Sequence, residues 1–186
     1  KMLYSWYGTP EETLTYKCAI ANRRDFGYVD KITDKDYVVN SYHIDPRENI
    51  DAFTKLQIEG KYLALSSGGA VSYVETNYLT KNIEAIISII KWIYEYIVYA
   101  EINRKIGVCY KCGYEGDFNL IKTENGDFKF KCPNCNNDED EEMLVVARLC
   151  GYLGTINAGN TNKGRLDDIY HRVIHTDCKD EISNKY

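Results

Sequence analysis

Long apolar runs are missing from this sequence of 186 residues. The most apolar stretch, 83–100, is interrupted by Glu84, Lys91 and Glu95. A transmembrane helix needs about 20 predominantly apolar residues, so we expect no membrane span. Residues 1–6 also lack the apolar segment and the small-residue cleavage site of a secretory signal. We therefore expect neither membrane insertion nor export.

An excess of positive charge is also absent, because 23 Lys and Arg stand against 28 Asp and Glu, for a formal net charge of −5. Nucleic-acid binding relies on Lys and Arg that neutralise phosphates, so a nucleic-acid partner is disfavoured. Hydrophobic residues make up 44% of the chain and charged residues 27%, values typical of globular proteins. The composition therefore predicts a folded chain of one domain, or a domain with a small appendage.

Histidines are few, and the three at positions 43, 171 and 175 have no metal-ligand pattern around them. We interpret each as a surface residue or as a hydrogen-bonded core residue. Cysteines number seven, and four of them form two Cys-x-x-Cys pairs, unlike the evenly spread cysteines of a secreted disulfide scaffold. This usage indicates a reducing, cytoplasmic environment.

Helices and strands alternate in the predicted structure up to residue 105, which favours an α/β arrangement. Thr9 and Pro10 form a typical helix start, and isoleucines at helical spacing mark a second helix. Residues 53–58 carry no decisive pattern. The predicted elements are a helix over 10–22, strands over 32–43 and 70–75, a helix over 80–100 whose apolar stripe faces the core, and a short final helix over 167–175.

Two Cys-x-x-Cys knuckles, Cys109/Cys112 and Cys132/Cys135, have the spacing of a four-thiolate zinc site. Two residues between a pair of thiols let one tight turn aim both sulfurs at a single ion. The same sulfurs can also hold iron or form disulfides, but four thiolates in a reducing cytoplasm favour zinc. A zinc ion with four thiolates has no open coordination position, so the predicted role is structural.

The spacer between the knuckles is predicted to be a β-hairpin, which makes the region a zinc ribbon. Asn125-Gly126 is a type I′ turn signal between two apolar segments. Gly113 and Asn136 follow the second cysteine of each knuckle, where a left-handed backbone is often needed. Five consecutive acids, residues 138–142, come next, and we interpret them as a solvated linker that would repel phosphates.

The segment 143–154 combines an apolar, strand-like stretch with a Gly-x-x-Gly turn. Its Arg148-x-Cys150-Gly151-Tyr152-x-Gly154 motif resembles the glycyl-radical signature of the anaerobic, class III ribonucleotide reductases. Leu149 departs mildly from that signature, which usually has a β-branched residue there. Segments 7–12, 40–43 and 67–75 and the four knuckle cysteines resemble motifs of the same family and stand in the same order.

The resemblance implies that Gly151 stores a glycyl radical, made when a partner radical-SAM iron–sulfur activating enzyme removes a Cα hydrogen atom. Glycine suits this task because a Cα without a side chain becomes planar without strain. In that family the radical passes to a cysteine inside a ten-stranded α/β barrel, and the resulting thiyl takes the ribose 3′ hydrogen to begin loss of the 2′-hydroxyl. No cysteine here matches that position, so the resemblance places it upstream of this chain. Cys150 is interpreted as part of the motif or as a small core thiol.

A substrate site is also implied by the resemblance, which places Gly8, Thr9, Glu11, Glu12 and Thr13 where the substrate's phosphates dock. A helix N-terminus offers free N–H groups to an anion. Because two of these residues are acidic, the contacts would come from the main chain, and an ordinary capped helix explains the pattern equally well.

The resulting expectation is the C-terminal region of an anaerobic ribonucleoside-triphosphate reductase. Its parts are the closing portion of the α/β barrel (1–105), the zinc ribbon (106–137), and an acidic linker with the radical loop and a final helix (138–186). The implied partners are the activating enzyme, the N-terminal part of the same reductase and a ribonucleoside triphosphate, and the complete enzyme is expected to be a homodimer. Two alternatives stay open: a stand-alone glycyl-radical spare part and a non-catalytic zinc-ribbon binding module.

Overall fold

The computed structural model describes residues 14–39, 43–66, 70–77, 82–148 and 153–176. They fall into two compact units: unit 1 contains the described residues of 39–104 and 172–176, and unit 2 those of 14–38 and 105–171. None of the helices in the described part of the chain has the length and apolar character to cross a membrane. In chain order the elements are α1 (Leu14–Phe26), α2 (Ala52–Leu63), β1 (Ser72–Glu75), α3 (Ile83–Tyr96), β2 (Ala100–Asn103), β3 (Ile106–Cys109), β4 (Glu115–Gly116), β5 (Asn119–Lys122), β6 (Phe128–Lys131), a 3-10 helix (Asp140–Glu142), β7 (Met143–Arg148), β8 (Leu153–Ile156) and α4 (Lys163–His171).

Unit 1 is built around two parallel strands, β1 and β2, with α3 as the connection between them. Ser72 pairs with Ala100 and Glu75 with Asn103, so the carboxyl ends of both strands lie at one edge. Parallel strands need a long crossover, and a helix usually supplies it. The predicted α/β arrangement is therefore confirmed. Buried apolar residues of α2, β1 and α3, and one residue just after α3, form the core: Ala52, Leu56, Leu63, Val74, Ile89 and Ile97.

Helix α2 covers the region 53–58 for which the sequence carried no decisive pattern. Asp51 caps it, since its side chain accepts hydrogen bonds from the backbone N–H groups of Phe53 and Thr54. One turn in, Lys55 donates to Glu59 at 2.8 Å, and the two side chains are only 7% and 0% exposed. A charged pair on the buried face hides the apolar periodicity on which helix prediction depends.

Helix α3 confirms the helix predicted over 80–100, although it runs only from Ile83 to Tyr96. The predicted burial of its apolar stripe is wrong for much of its length. Ile83, Ile87 and Ile90 are 64%, 44% and 53% exposed, while Ile89 is the buried residue of this helix. Within the described residues, α3 therefore presents an uncovered apolar face.

Unit 2 contains a four-stranded sheet in the order β4-β3-β7-β8 and a separate β5-β6 hairpin. All of its strand pairs are antiparallel. Alternate residues of β7, Met143, Val145 and Ala147, point into the core, as expected for a strand with one buried face. They pack in one cluster with the hairpin residues Phe128 and Phe130.

The β5-β6 hairpin confirms the hairpin predicted between the knuckles, but its turn is not type I′. A type I′ turn needs a positive φ at both central residues, and at this turn only Gly126 has one, at 83°. Gly126 N–H donates to Thr123 O at 2.9 Å, and Thr123 N–H donates to Asp127 O at 2.8 Å. These bonds define a three-residue loop with Gly126 in the left-handed position.

Residues 32–37 form turns and bends and 38–39 have no regular secondary structure, so the strand predicted over 32–43 is wrong in its described part. Thr33 Oγ1 accepts from Val29 N–H and donates to Gly27 O. These bonds close a turn that an extended strand could not form. Arg23 of α1 then holds the segment by donating to the carbonyls of Thr33 and Lys35. Side-chain bonds to the backbone thus override the local β propensity.

The two terminal helices are shifted from their predicted positions. Helix α1 confirms the helix predicted over 10–22 from Leu14 onward, but it ends at Phe26; residues 10–13 lie outside the described part. The helix predicted over 167–175 instead spans Lys163–His171. Asn162 Oδ1 accepts from Gly164 N–H at the start of α4. Gly164 is required there because an added Cβ would collide with Asp36 O.

Candidate functional site

The four knuckle cysteines meet in unit 2, with their Sγ atoms all within 4.8 Å of one another. Cys109 Sγ lies 3.7 Å from Cys135 Sγ, and Cys112 Sγ lies 3.7 Å from Cys132 Sγ. A tetrahedral zinc ion at about 2.3 Å from each sulfur places the sulfurs about 3.8 Å apart. The predicted cluster is therefore assembled with dimensions that fit a zinc ion.

Disulfides do not explain the cluster, because all four thiols are free. The 3.7 Å separations are far longer than the roughly 2.05 Å of an S–S bond. Four soft thiolate ligands in a tetrahedral arrangement are typical of zinc or of an iron–sulfur site. The donor set thus supports a metal over a covalent cross-link.

Each knuckle turns back on itself through a left-handed residue, as predicted. Gly113 has φ 72° and Asn136 has φ 60°. Gly113 N–H donates to Cys109 O at 2.8 Å, and Asn136 N–H donates to Cys132 O at 2.9 Å. The same turn at both knuckles brings the two thiols of each pair to one side.

Hydrogen bonds affect the thiols of the cluster unequally: the Asn137 backbone N–H favours the thiolate of Cys135, but burial and hydrogen bonds with the other thiols outweigh it and raise the pKa of Cys135 to about 12. The Asn134 side chain and the Tyr114 backbone N–H bond to Cys112, and together they lower the pKa of this thiol to about 6. Asn137 is 6% exposed, and its Nδ2 lies 3.9 Å from Cys109 Sγ. The sequence analysis did not predict a role for Asn137. Its position two residues after Cys135 is the feature that could have indicated one.

Strand pairing connects the cysteine cluster to the segment that contains Gly151. Cys109 ends β3 and pairs with Met143, the first residue of β7. At the other end of β7, Arg148 pairs with Leu153 of β8. The four residues between these partners, 149–152, include Gly151 and lie outside the described residues. The six residues of β7 span five steps of about 3.4 Å, so about 17 Å separates Met143 at its cluster end from Arg148 at the other end.

The acidic run 138–142 is bonded to the rest of unit 2. Asp138 forms an ion pair with Lys129 at 3.3 Å, and Glu142 lies 3.6 Å from Lys111. Asp140 Oδ2 accepts from Gly159 N–H at 2.8 Å. The interpretation as a purely solvated linker is therefore wrong for the described residues, since the run contacts the hairpin, the first knuckle and the segment after β8.

Several predicted site residues lie outside the described part of the chain. These are Gly151 and the phosphate-site candidates Gly8, Thr9, Glu11, Glu12 and Thr13. Cys150 lies outside it as well, whereas Cys18 is an exposed residue of α1.

The histidines are hydrogen-bonded, as predicted. His43 Nε2 lies 2.8 Å from Val71 O, and His171 Nδ1 lies 2.8 Å from Asp167 O. His175 is 5% exposed, and its Nδ1 accepts from Glu75 N–H at 2.8 Å. Burial lowers the pKa of His175 to about 3, and the nearby Lys55 ammonium acts in the same direction.

Buried charges in unit 1 are the main feature that the sequence did not reveal. Glu59 Oε1 accepts from Ile44 N–H at 2.9 Å, and its other oxygen accepts from Lys55. Burial alone would raise the pKa of Glu59, but Lys55, His43 and these hydrogen bonds hold it below its usual value. Glu75 is 5% exposed and bonds both Asn103 and Arg172. No local sequence pattern distinguishes such carboxylates from surface ones.

Comparison with known proteins identifies the family. Residues 1–175 match the family model described as anaerobic ribonucleoside-triphosphate reductase. The chain is 34% identical over 172 residues to the anaerobic ribonucleoside-triphosphate reductase of Haemophilus influenzae, covering 92% of this chain and 24% of that protein. It is 33% identical over 172 residues to the enzyme of that name from phage T4, covering 92% of this chain and 28% of that protein.

Solved structures agree at the level of the fold. A structure titled anaerobic ribonucleotide reductase matches with a TM-score of 0.61 at 23% identity, covering 89% of this chain and 24% of that one. The Thermotoga maritima anaerobic ribonucleotide reductase matches with a TM-score of 0.52 at 22% identity, covering 80% of this chain and 22% of that one.

The described residues contain an α/β unit and a four-cysteine cluster that could hold a metal ion. The chain belongs to the anaerobic ribonucleoside-triphosphate reductase family. It spans about a quarter of the length of the curated relatives that it matches, 24% for the Haemophilus influenzae protein.

Proposed function

We propose that this chain is the C-terminal region of an anaerobic ribonucleoside-triphosphate reductase and carries its stored glycyl radical on Gly151. The complete enzyme reduces ribonucleoside triphosphates to deoxyribonucleotides for DNA replication in the anaerobic cytoplasm. The observation that carries the proposal is the motif from Arg148 to Gly154 in a chain of this family, between two strands that share a sheet with the metal cluster. The chain lacks a cysteine at the expected thiyl position, so it is inactive alone.

Gly151 would supply the hydrogen atom that the radical-SAM activating enzyme removes. Removal of one Cα hydrogen atom leaves one unpaired electron on Gly151. The electron delocalises onto the flanking amide nitrogen and carbonyl, and no Cβ resists planarity at the Cα. Strands β7 and β8 pair as far as Arg148 and Leu153, and Gly151 is one of the four residues of sequence between these partners.

The metal proposed for the cysteine cluster is zinc, held by Cys109, Cys112, Cys132 and Cys135. Bound by four thiolates, zinc has no free position for substrate and supplies structural stability. Strand pairing supports a structural role for the cluster. Cys109 pairs with Met143 at the start of β7, and Arg148 at the other end of β7 is the last described residue before Gly151. The cluster would thus fix the base of the radical hairpin.

The uncovered face of α3 supports a protein partner for unit 1. Ile83, Ile87, Ile90 and Tyr94 recur at helical spacing, and Tyr94 is 92% exposed. A sheet of two parallel strands is also unusually small, since parallel sheets are normally larger and covered on both faces. We propose that the N-terminal part of the reductase covers this face and completes the ten-stranded barrel, with the phosphate-site candidates 8–13 facing the substrate. Two complete chains would form the homodimer.

Electron paramagnetic resonance tests the proposed function. The chain is incubated anaerobically with a radical-SAM activating enzyme, S-adenosylmethionine and a reductant, with the activating enzyme shown to be competent on a complete reductase. We expect an organic radical signal that a Gly151→Ala variant lacks and a Cys18→Ser variant retains. A signal that persists in Gly151→Ala would contradict the assignment by placing the radical on another residue. No signal in the wild-type chain joined to its upstream part would also contradict it and would favour a non-catalytic zinc-ribbon module.

A further inference from the structure

Asn137 links the two knuckles of the cysteine cluster in unit 2. It is buried, at 6% exposure, and lies two residues after Cys135. Its carbonyl accepts from Cys132 N–H at 2.9 Å, and its backbone N–H donates to the sulfur of Cys135. Its side-chain Nδ2 lies 3.9 Å from the sulfur of Cys109, which belongs to the other knuckle. One residue therefore contacts three of the four cysteines.

The side chain of Asn137 is held in one orientation by Lys111. Lys111 Nζ donates to Asn137 Oδ1 at 3.5 Å. An ammonium group has only donors, so the amide oxygen faces Lys111 and the NH₂ group faces the sulfur of Cys109. The positive charge also polarises the amide and strengthens the hydrogen bond of its N–H group, because hydrogen bonds in a chain reinforce one another. Lys111 lies between the two cysteines of the first knuckle in the sequence, so these contacts stay within the cluster.

Cys109 needs a hydrogen-bond donor from the protein when it holds a metal. Its exposure is 0%, so water does not reach its sulfur. A cysteine must be deprotonated to bind a metal, and a buried charge without hydrogen bonds is costly. The Asn137 amide offers an N–H group to this sulfur, and hydrogen bonds to ionised acceptors are stronger than neutral ones.

We propose that Asn137 is a positioning residue for the metal of the cysteine cluster. Its side chain holds Cys109 of one knuckle, and its backbone holds Cys132 and Cys135 of the other. The sulfurs thus stay at the separation that a metal ion needs. The inference rests on the proposed metal site and does not depend on the radical at Gly151. Residues that hydrogen-bond metal ligands typically contribute about 10–100-fold to metal affinity.

Zinc affinity measures this contribution. The test uses the complete reductase that contains this chain, with zinc removed stepwise by a competing chelator and the Cys132→Ser enzyme as the background for zinc held elsewhere. Asn137→Leu replaces the amide with an apolar group, and Asn137→Asp keeps the shape but exchanges the NH₂ donor for an acceptor. We expect both variants to bind zinc at the cluster at least about tenfold more weakly than wild type.

Asn125→Asp is the matched control, because it makes the same change in an exposed residue of the β5-β6 turn. We expect its zinc affinity to stay near that of wild type. Wild-type affinity in Asn137→Leu and Asn137→Asp, or an equal loss in Asn125→Asp, would overturn the positioning role. A wild-type enzyme that holds no more zinc than Cys132→Ser would instead refute the proposed metal site, and the positioning role with it.

Cobalt gives a second readout that separates positioning from a role in folding. When Co²⁺ replaces zinc, the sulfur-to-metal charge-transfer band reports the electrons of the sulfur atoms, which a hydrogen bond stabilises. In Asn137→Leu we expect this band to move to longer wavelength with its intensity kept. An unshifted band would overturn the proposal because no hydrogen bond to sulfur was lost. Loss of the band at saturating Co²⁺ would also overturn it, because Asn137 would then hold the fold and not a ligand.

Discussion

Acid should destabilise this protein through one buried histidine. Burial lowers the pKa of His175 to about 3 from its ordinary 6.5, with Lys55 adding to the effect, so the folded state holds this ring neutral. Because the unfolded chain binds the proton more readily, the stabilisation is complete above pH 6.5 and is lost as the pH falls from 6.5 toward 3. The loss approaches about 1.4 kcal/mol for each pH unit within that window.

His175→Asn isolates this contribution, because an asparagine Oδ1 can accept the Glu75 N–H hydrogen bond without titrating near neutrality. Between pH 7.5 and 5.5 we expect the free energy of unfolding of the wild-type chain to fall by about 1 kcal/mol more than that of the variant, and by about 3 kcal/mol more at pH 4.5. Urea unfolding followed by circular dichroism measures both. Parallel pH profiles, or a midpoint near 6.5 for His175 in an NMR titration of the folded chain, would refute the reasoning.

The remaining predictions concern the metal and the apolar face of α3. Plasma mass spectrometry should find one zinc per wild-type chain and none in Cys132→Ser, whose position is fully buried, while Cys18→Ser keeps the metal; iron in place of zinc would contradict the assignment. Ile87→Glu with Ile90→Glu should weaken binding to the N-terminal part of the reductase by about 2 kcal/mol or more, because a half-exposed apolar pair becomes charged. Ser88→Glu adds charge beside that stripe and should bind normally by calorimetry; equal binding by both variants would exclude α3 as the contact face.

Short sequence patterns predicted the knuckle turns, the β5-β6 hairpin, strand β7 and the four-cysteine cluster. The knuckle turns follow from Gly113 and Asn136, which accept a left-handed backbone at little cost. The β5-β6 hairpin follows from the Asn125-Gly126 turn signal between two apolar segments, β7 from its apolar run, and the four-cysteine cluster from cysteine spacing.

Long-range contacts explain what the sequence did not predict. The segment 32–39 has β propensity, but Arg23 and Thr33 hold it in turns through bonds to the backbone. Helix α4 starts at Lys163, four residues before its predicted start at 167, and Gly164 in its first turn lies against Asp36 O, a contact between distant parts of the chain. The apolar stripe of α3 has correct helical spacing, yet spacing cannot say whether the surface that covers it belongs to the same chain.

The hydrogen bonds around Glu75 could not be predicted from the sequence either, because they join residues that are far apart along the chain. Asn103 and Arg172 are 28 and 97 residues from Glu75 along the chain, and only folding brings all three side chains to one oxygen. Gly151, by contrast, was predicted from the residues next to it in the sequence.

Backbone cleavage by oxygen tests radical storage on Gly151 most directly. A glycyl radical reacts with oxygen and breaks its own chain, so the chain joined to its upstream part is activated anaerobically, exposed to air and weighed by mass spectrometry. We expect truncation at Gly151 in the wild type and an intact Gly151→Ala chain. An uncut wild-type chain, treated with an activating enzyme that is competent on another reductase of this family, would contradict radical storage on Gly151.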